Sequence, residues 1–163
     1  MIDFHHFWQM HAPIIIILIP ALTSFLLLLL GNPGSGYLKQ DWRQPWRRGI
    51  SLSSAILGLL TAISYLALAN TGQITVYQLS EWSAPFGIVL VLDRLSAFML
   101  LLTYVLAVPI IWYASDHWDT RGRYFHTMFH FLLMGLTGAF LTGDLFNLFV
   151  FFEILLMASY VLL

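Results

Sequence analysis

Apolar residues fall in five long runs separated by short polar stretches. The runs cover Ala12 to Leu30, Gly49 to Ala69, Phe86 to Tyr113, Tyr124 to Thr142, and Leu145 to the chain end. The first two carry no charge, the third has Asp93 and Arg94 near its start, and the fourth holds only His126 and His130 as ionisable groups besides Tyr124. Each run is near the ~20 residues that carry a helix across a hydrocarbon core. Apolarity around the whole circumference predicts membrane spans rather than amphipathic soluble helices. The expected fold is an all-α integral membrane protein with five transmembrane helices. Between the second and third runs, Ile74 to Leu79 predicts a short strand or hairpin on the surface. Gly31-Asn-Pro-Gly-Ser-Gly36 ends the first helix sharply. Pro20 and Pro109 lie inside helical runs and predict kinks.

Composition agrees with this class. Charged residues make up 9% of the chain, against roughly 25% in a soluble domain. With no cysteine, disulfides and cysteine-held metals are excluded. The placement of charge says more than its sum. Lys39, Arg43, Arg47 and Arg48 lie between runs one and two, and Arg121 and Arg123 between runs three and four. Residues 70–85 and the Gly143-Asp144 turn carry no Lys or Arg. Positive charge collects on the cytoplasmic side, so the N-terminus is expected outside, with residues 31–48 and 114–123 cytoplasmic. Trp8, Trp42, Trp46, Trp82, Trp112 and Trp118 fall in loops or at helix ends, the headgroup level that indoles prefer. No Lys or Arg precedes the first run, so it reads as a retained helix rather than a signal peptide. The last run stops at Val161-Leu-Leu163 with no anchoring polar residue, so a fragment of a longer protein is expected.

Glu153 is the residue that most needs a function. It is the one ionisable group between Leu145 and Leu163 other than Tyr160. It lies nine residues after Asp144, about 13 Å along a helix, close to half of a core ~30 Å thick. A carboxylate at that depth costs roughly 2.5 kcal/mol or more, and such residues mark ion or proton pathways. The alternative is a structural carboxylate bonded to a neighbouring helix. Tyr160, seven residues on, shares its face. His126 and His130 are four apart, in the first turns of the fourth helix. They, with Tyr160, are candidates for a proton relay between water and the membrane interior; the competing reading of the histidines is an interfacial pair with wet side chains. The same spacing suits a metal, but no third ligand is evident, so no metal is expected. Asp93 and Arg94 are a candidate structural charge pair or a helix-start anchor. Gly135, Ala139 and Gly143, spaced by four, predict a face where another helix approaches closely. Nothing in the chain binds a redox cofactor.

Gly143-Asp-Leu-Phe-Asn-Leu-Phe-Val-Phe-Phe-Glu153, the flanking stretch Phe131 to Tyr160, and Ala84 to Ala97 resemble the D subunit of the multi-subunit Mrp-type monovalent cation/proton antiporter. The resemblance covers essentially the whole chain and corresponds to the N-terminal third of that family. It implies a fourteen-helix protein with two inverted five-helix repeats that begin at helix four. It therefore divides this chain into residues 1–123, helices one to three with their loops, and residues 124–163, the start of the first repeat. It implies Na+/proton exchange through Glu153, whose partner in the family is a Lys on helix seven, beyond Leu163. It also implies other antiporter subunits as partners and a bacterial inner-membrane location. Antiporter-like subunits of respiratory complex I and of membrane-bound hydrogenases share the mid-helix Glu, so a redox-driven pump subunit is the alternative. A third reading is an inactive truncated fragment, or a membrane scaffold that docks partners through Gly135, Ala139 and Gly143.

Overall fold

The computed structural model describes residues 4–31, 44–72, 74–78, 87–116, 118–120, 122 and 124–163. The Gly/Pro-rich loop past Gly31, the basic residues Lys39, Arg43, Arg121 and Arg123, and Trp42 and Trp82 lie outside the described residues. Five helices account for most of the rest. They are α1 (Phe4–Leu29), α2 (Gln44–Ala69), α3 (Arg94–Ala114), α4 (Phe125–Leu141) and α5 (Leu145–Leu162). Two strands, β1 (Thr75–Gln78) and β2 (Val89–Leu92), stand between α2 and α3, and a 3-10 turn at Trp118–Thr120 precedes α4. Four of the helices are long and apolar enough to cross a membrane; α4, at 17 residues, is shorter. The chain is a multi-pass membrane protein.

The predicted surface strand is present and pairs antiparallel with β2, Thr75 opposite Leu92 and Gln78 opposite Val89. The third apolar run therefore does not begin as a helix. Residues 89–92 are strand, and α3 starts at Arg94. The local reason is a cap: Asp93 is extended, its carboxylate accepts from the Ser96 amide at 2.7 Å, and Ser96 Oγ accepts from the Asp93 amide at 2.8 Å. This reciprocal box satisfies two donors that an open helix start would leave unpaired. The amide of Ser96 outweighs the effect of burial and holds the Asp93 carboxyl below its ordinary pKa. Asp93→Ala is expected to cost about 1 kcal/mol through loss of this cap, read as a lower midpoint in a denaturation titration of the detergent-solubilised protein.

Asp93 and Arg94 do not form the expected charge pair. Arg94 turns back and donates through Nε to the Ala69 carbonyl and through Nη2 to the Asn70 carbonyl, both at 3.2 Å. It covers the carbonyl end of α2, where a cation meets the negative end of the helix dipole. The two residues serve the ends of two different helices.

The core lies between α1, α2, α3 and α4 around Tyr65, Tyr104, Ile16, Leu100, Ile111 and Leu133, each at most 2% exposed. Small residues set the helix spacing. Gly58 on α2 lies against the ring of Tyr104 on α3, whose hydroxyl reaches the Ile16 carbonyl of α1. On the α4–α5 contact, a Cβ on Gly135 would stand 3.0 Å from the Phe151 carbonyl oxygen and 3.0 Å from the Leu155 amide. Gly138 lies against the Phe151 ring. Gly143 falls past the end of α4 and faces Val91 of the hairpin, not α5; Ala139 is half-buried. The close approach thus uses Gly135 and Gly138, one turn apart, rather than a stripe reaching Gly143.

The α4–α5 turn is joined to the hairpin. The Gly143 amide donates to the Val89 carbonyl at 2.8 Å, and Thr142 bridges Leu90. Asp144 then caps α5 by accepting from the Phe146 amide at 3.3 Å. One end of the bundle is thus closed by the hairpin, this turn and Arg94; the other carries Arg47, Arg48, Asp119 and His126.

Candidate functional site: a carboxylate on α5 and a histidine chain on α4

α5 packs chiefly on α4. Its inward positions are Asn147, Phe151, Leu155 and Ala158. Residues on a helix advance about 100° each, so Glu153 points roughly 200° away from Phe151, away from α4. It is exposed, with no hydrogen bond or ion pair to any described residue. Around it run Phe146, Phe149, Phe152, Leu156, Met157 and Tyr160, all exposed. The structural-carboxylate reading needs a neighbouring helix on that side, and none of the described residues supplies one. A carboxylate that faces hydrocarbon is costly.

Tyr160 shares the Glu153 face, as its spacing predicts. It does not join the histidines, which lie on the far side of α4 and face α2.

His126 and His130 are not wet. They are 4% and 0% exposed, which overturns the interfacial reading of the pair. Both rings face Ser51 of α2, itself fully buried. Ser51 Oγ lies 3.0 Å from His126 Nδ1 and 3.0 Å from His130 Nε2. On its other side His126 Nε2 lies 3.1 Å from Asp119 Oδ2. Arg48 donates to the same carboxylate through Nε at 2.7 Å and Nη2 at 2.8 Å, a bidentate fork. Burial alone would raise the Asp119 pKa, but the hydrogen bonds from His126 and Arg48, with their charge, bring it down to about 2. Asp119 is therefore an anion. The order Arg48, Asp119, His126, Ser51, His130 is a continuous string of polar contacts drawn from α2, the 3-10 turn and α4. Its inner end, His130 Nδ1, is buried and meets no hydrogen-bond partner among the described residues; neither does Thr127 Oγ1, one turn back.

Sequence reading singled out neither Ser51 nor Asp119. Asp119 carried one usable signal: with Asp116 it places acid opposite the basic start of α2. Ser51 carried none, since an uncharged serine in an apolar helix is common.

No protein-family model matches the chain. Among curated proteins it is similar to the D subunit of a probable K(+)/H(+) antiporter of Rhizobium meliloti strain 1021, 45% identical over 159 residues. That match takes in 96% of this chain and 28% of the relative. The D subunit of a Na(+)/H(+) antiporter of Alkalihalophilus pseudofirmus is 46% identical over 112 residues, 67% of this chain and 23% of the relative. The N subunit of NADH-quinone oxidoreductase of Desulforudis audaxviator is 33% identical over 160 residues, 94% of this chain and 30% of the relative. Among solved structures, a chain of the Mrp complex from Dietzia sp. DQ12-45-1b superposes with a TM-score of 0.80 at 26% identity, covering 93% of this chain and 26% of that one. The chain spans less than a third of the length of each of these relatives.

Proposed function

On its homology to antiporter D subunits, we propose that the chain is part of a membrane subunit that exchanges a monovalent cation for protons. Glu153 carries the transported proton or the cation. The observation that supports this most is the direction of Glu153: a carboxylate at mid-helix depth, unpaired among the described residues, on a face no described helix covers. Such a group has a role only when more protein closes over it, and the relatives extend well beyond the matched region. The relatives' names differ in cation, K+ in one and Na+ in the other, so the family likeness supports an alkali cation without choosing between them.

The remaining parts of the proposal follow from the same likeness. The chain forms helices one to five of a fourteen-helix subunit, with α4 and α5 opening the first repeat. It works in a hetero-oligomeric complex in a bacterial inner membrane. The N-terminus and hairpin lie outside, and the Arg48–Asp119 end is cytoplasmic, in keeping with the bias of Lys and Arg.

The test uses everted vesicles that contain the full-length subunit in its complex. With a preformed proton gradient, a pulse of Na+ or K+ is expected to collapse the gradient. The likeness to the N subunit of NADH-quinone oxidoreductase favours the redox-driven reading as the second. That reading predicts that NADH or hydrogen builds a gradient in the same vesicles, while the salt pulses do nothing.

A further inference from the structure

The five-residue string on the cytoplasmic side has the form of a proton conductor, and we propose that His126, Ser51 and His130 relay protons between the membrane interior and the Asp119–Arg48 pair. This inference rests on the proton-translocating reading above and adds an entry or exit route to it.

The hydrogen-bond arithmetic is restrictive. Asp119 is an anion and accepts only, so His126 Nε2 carries a hydrogen. With His126 neutral, its Nδ1 is bare and accepts from the Ser51 hydroxyl. Ser51 Oγ then accepts from His130 Nε2–H, which leaves His130 Nδ1 bare. A proton arriving at that bare nitrogen can be passed on without any heavy atom moving far. The N–H bond forms at His130 Nδ1 while the Nε2–H bond breaks, and that hydrogen bonds to Ser51 Oγ. The original Ser51 hydrogen moves to His126 Nδ1. One proton has entered at His130 and one positive charge has appeared on His126, next to the Asp119 carboxylate that stabilises it. Run backwards, the same steps release a proton at His130 Nδ1. Both states keep every contact from Asp119 to His130 satisfied, and they differ by one proton.

Three observations point to transport rather than to a simple pin between helices. First, the inner end is open: His130 is 0% exposed, yet Nδ1 has no partner among the described residues. A pin that ended the string would have no reason to leave a buried nitrogen bare, because an unmet buried polar atom costs about 1–3 kcal/mol. Second, the outer end has an acceptor close to the surface: Asp119, which faces the His126 Nε2 hydrogen, is 1% exposed and is covered by the Arg48 side chain, itself 34% exposed. Third, the inner end heads toward the depth of Glu153. Gly135 faces the α5 backbone at Phe151 and Leu155, which puts Glu153 level with Gly135. His130 is five residues below Gly135 on α4, about 8 Å along the axis.

Among the described residues, the charged groups at the histidine end are few. α2 supplies Arg48 and, one turn before Ser51, the buried Arg47; the 3-10 turn supplies Asp119, and Asp116, just past α3, acts on Arg48. α1, which also packs on α4, has its only ionisable residues, His5, His6 and His11, in its first turns at the far end. α3 has none beyond Arg94 at the opposite end and its tyrosines, and α5 has Glu153 and Tyr160, both turned away.

The experiment compares Ser51→Ala, Ser51→Thr and His130→Gln in the full-length subunit, assembled in its complex in everted vesicles. The readout is cation-driven proton flux per assembled complex, across a pH series. The alanine removes the middle carrier, threonine keeps a hydroxyl there, and glutamine keeps a hydrogen bond to Ser51 but cannot take up a proton and pass it on. Ser51→Ala and His130→Gln are expected to lower flux about a hundredfold or more, with an unchanged half-saturating cation concentration. Ser51→Thr is expected to restore most of it and its pH profile. Normalising to assembled complex separates transport from folding, so a loss of complex alone does not count as support. Wild-type flux per complex in both Ser51→Ala and His130→Gln overturns the relay. An unmutated complex that shows no cation-driven flux overturns the antiporter reading instead, so the two failures are distinguishable.

Discussion

Glu153→Gln in the full-length subunit is expected to bring cation-driven proton exchange below about a hundredth of the unmutated rate, while the amount of assembled complex stays the same. The separation of the two effects comes from the geometry. Glutamine matches glutamate in size and can still hydrogen-bond, but it neither ionises nor holds a transferable proton. Within this chain the carboxylate touches no described residue through a hydrogen bond or ion pair. Neutralising it therefore breaks no contact inside α1–α5, and it relieves the cost of holding a charge at that depth. A structural carboxylate predicts the reverse pattern: less complex, with normal exchange in whatever assembles. Gradient collapse in everted vesicles, set against complex abundance on a native gel, tells the two apart. Exchange within about twofold of the unmutated rate would remove Glu153 from the transport step altogether.

Gly135→Leu is the second large effect, and it acts through the backbone. The Cβ of any side chain at this position would sit 3.0 Å from both the Phe151 carbonyl oxygen and the Leu155 amide. Neither atom can swing aside as the end of a flexible side chain does, so α5 must move off α4. Overpacking of this kind costs about 1–3 kcal/mol, occasionally more. α5 is unusually exposed to such a loss, because α4 is its main support and only Asn147 and Ala158 on α5 are fully buried. Since the chain has no cysteine, a pair of introduced cysteines flanking the contact is a clean reporter. Crosslinking between α4 and α5 is expected to fall sharply in Gly135→Leu, and to change little when exposed Val150 is replaced by leucine. Undiminished crosslinking in Gly135→Leu would mean that the contact accommodates a side chain.

The hydropathy of the chain carries the helices well, because lipid-facing and buried positions are both apolar and a span needs no fine pattern. The same insensitivity hides the third element. Val89-Leu-Val-Leu92 is apolar whether it is strand or helix, so the run read as continuous; only Asp93 with Ser96 three residues on marks the true start of α3. For the site, depth was legible and direction was not. Counting from Asp144 gives the height of Glu153, but which way it points depends on Phe151 and Leu155 meeting Gly138 and Gly135. His126 and His130 showed their shared face through spacing alone. Their burial depends on Ser51, 75 and 79 residues away, and on Asp119, whose partner Arg48 is 71 residues away. Such pairings are set by how the helices assemble, which no local pattern encodes.

The junction between the α4–α5 turn and the hairpin sets the height of α5 against the strand that leads into α3. To slide α5 lengthwise against α3 would pull the Gly143 amide from the Val89 carbonyl and shift Thr142 off Leu90. A strand tolerates no partial slip, because a shift of one residue turns every side chain to the other face. Leu90 and Leu92, each at most 2% exposed, hold β2 in its present register. The depth of the α5 carboxylate is thus indexed to a hydrogen-bonded sheet, not to the lipid around it. A thinner or thicker bilayer is met by tilt of the bundle or by local deformation of the lipid, with Glu153 kept at a fixed distance below the hairpin.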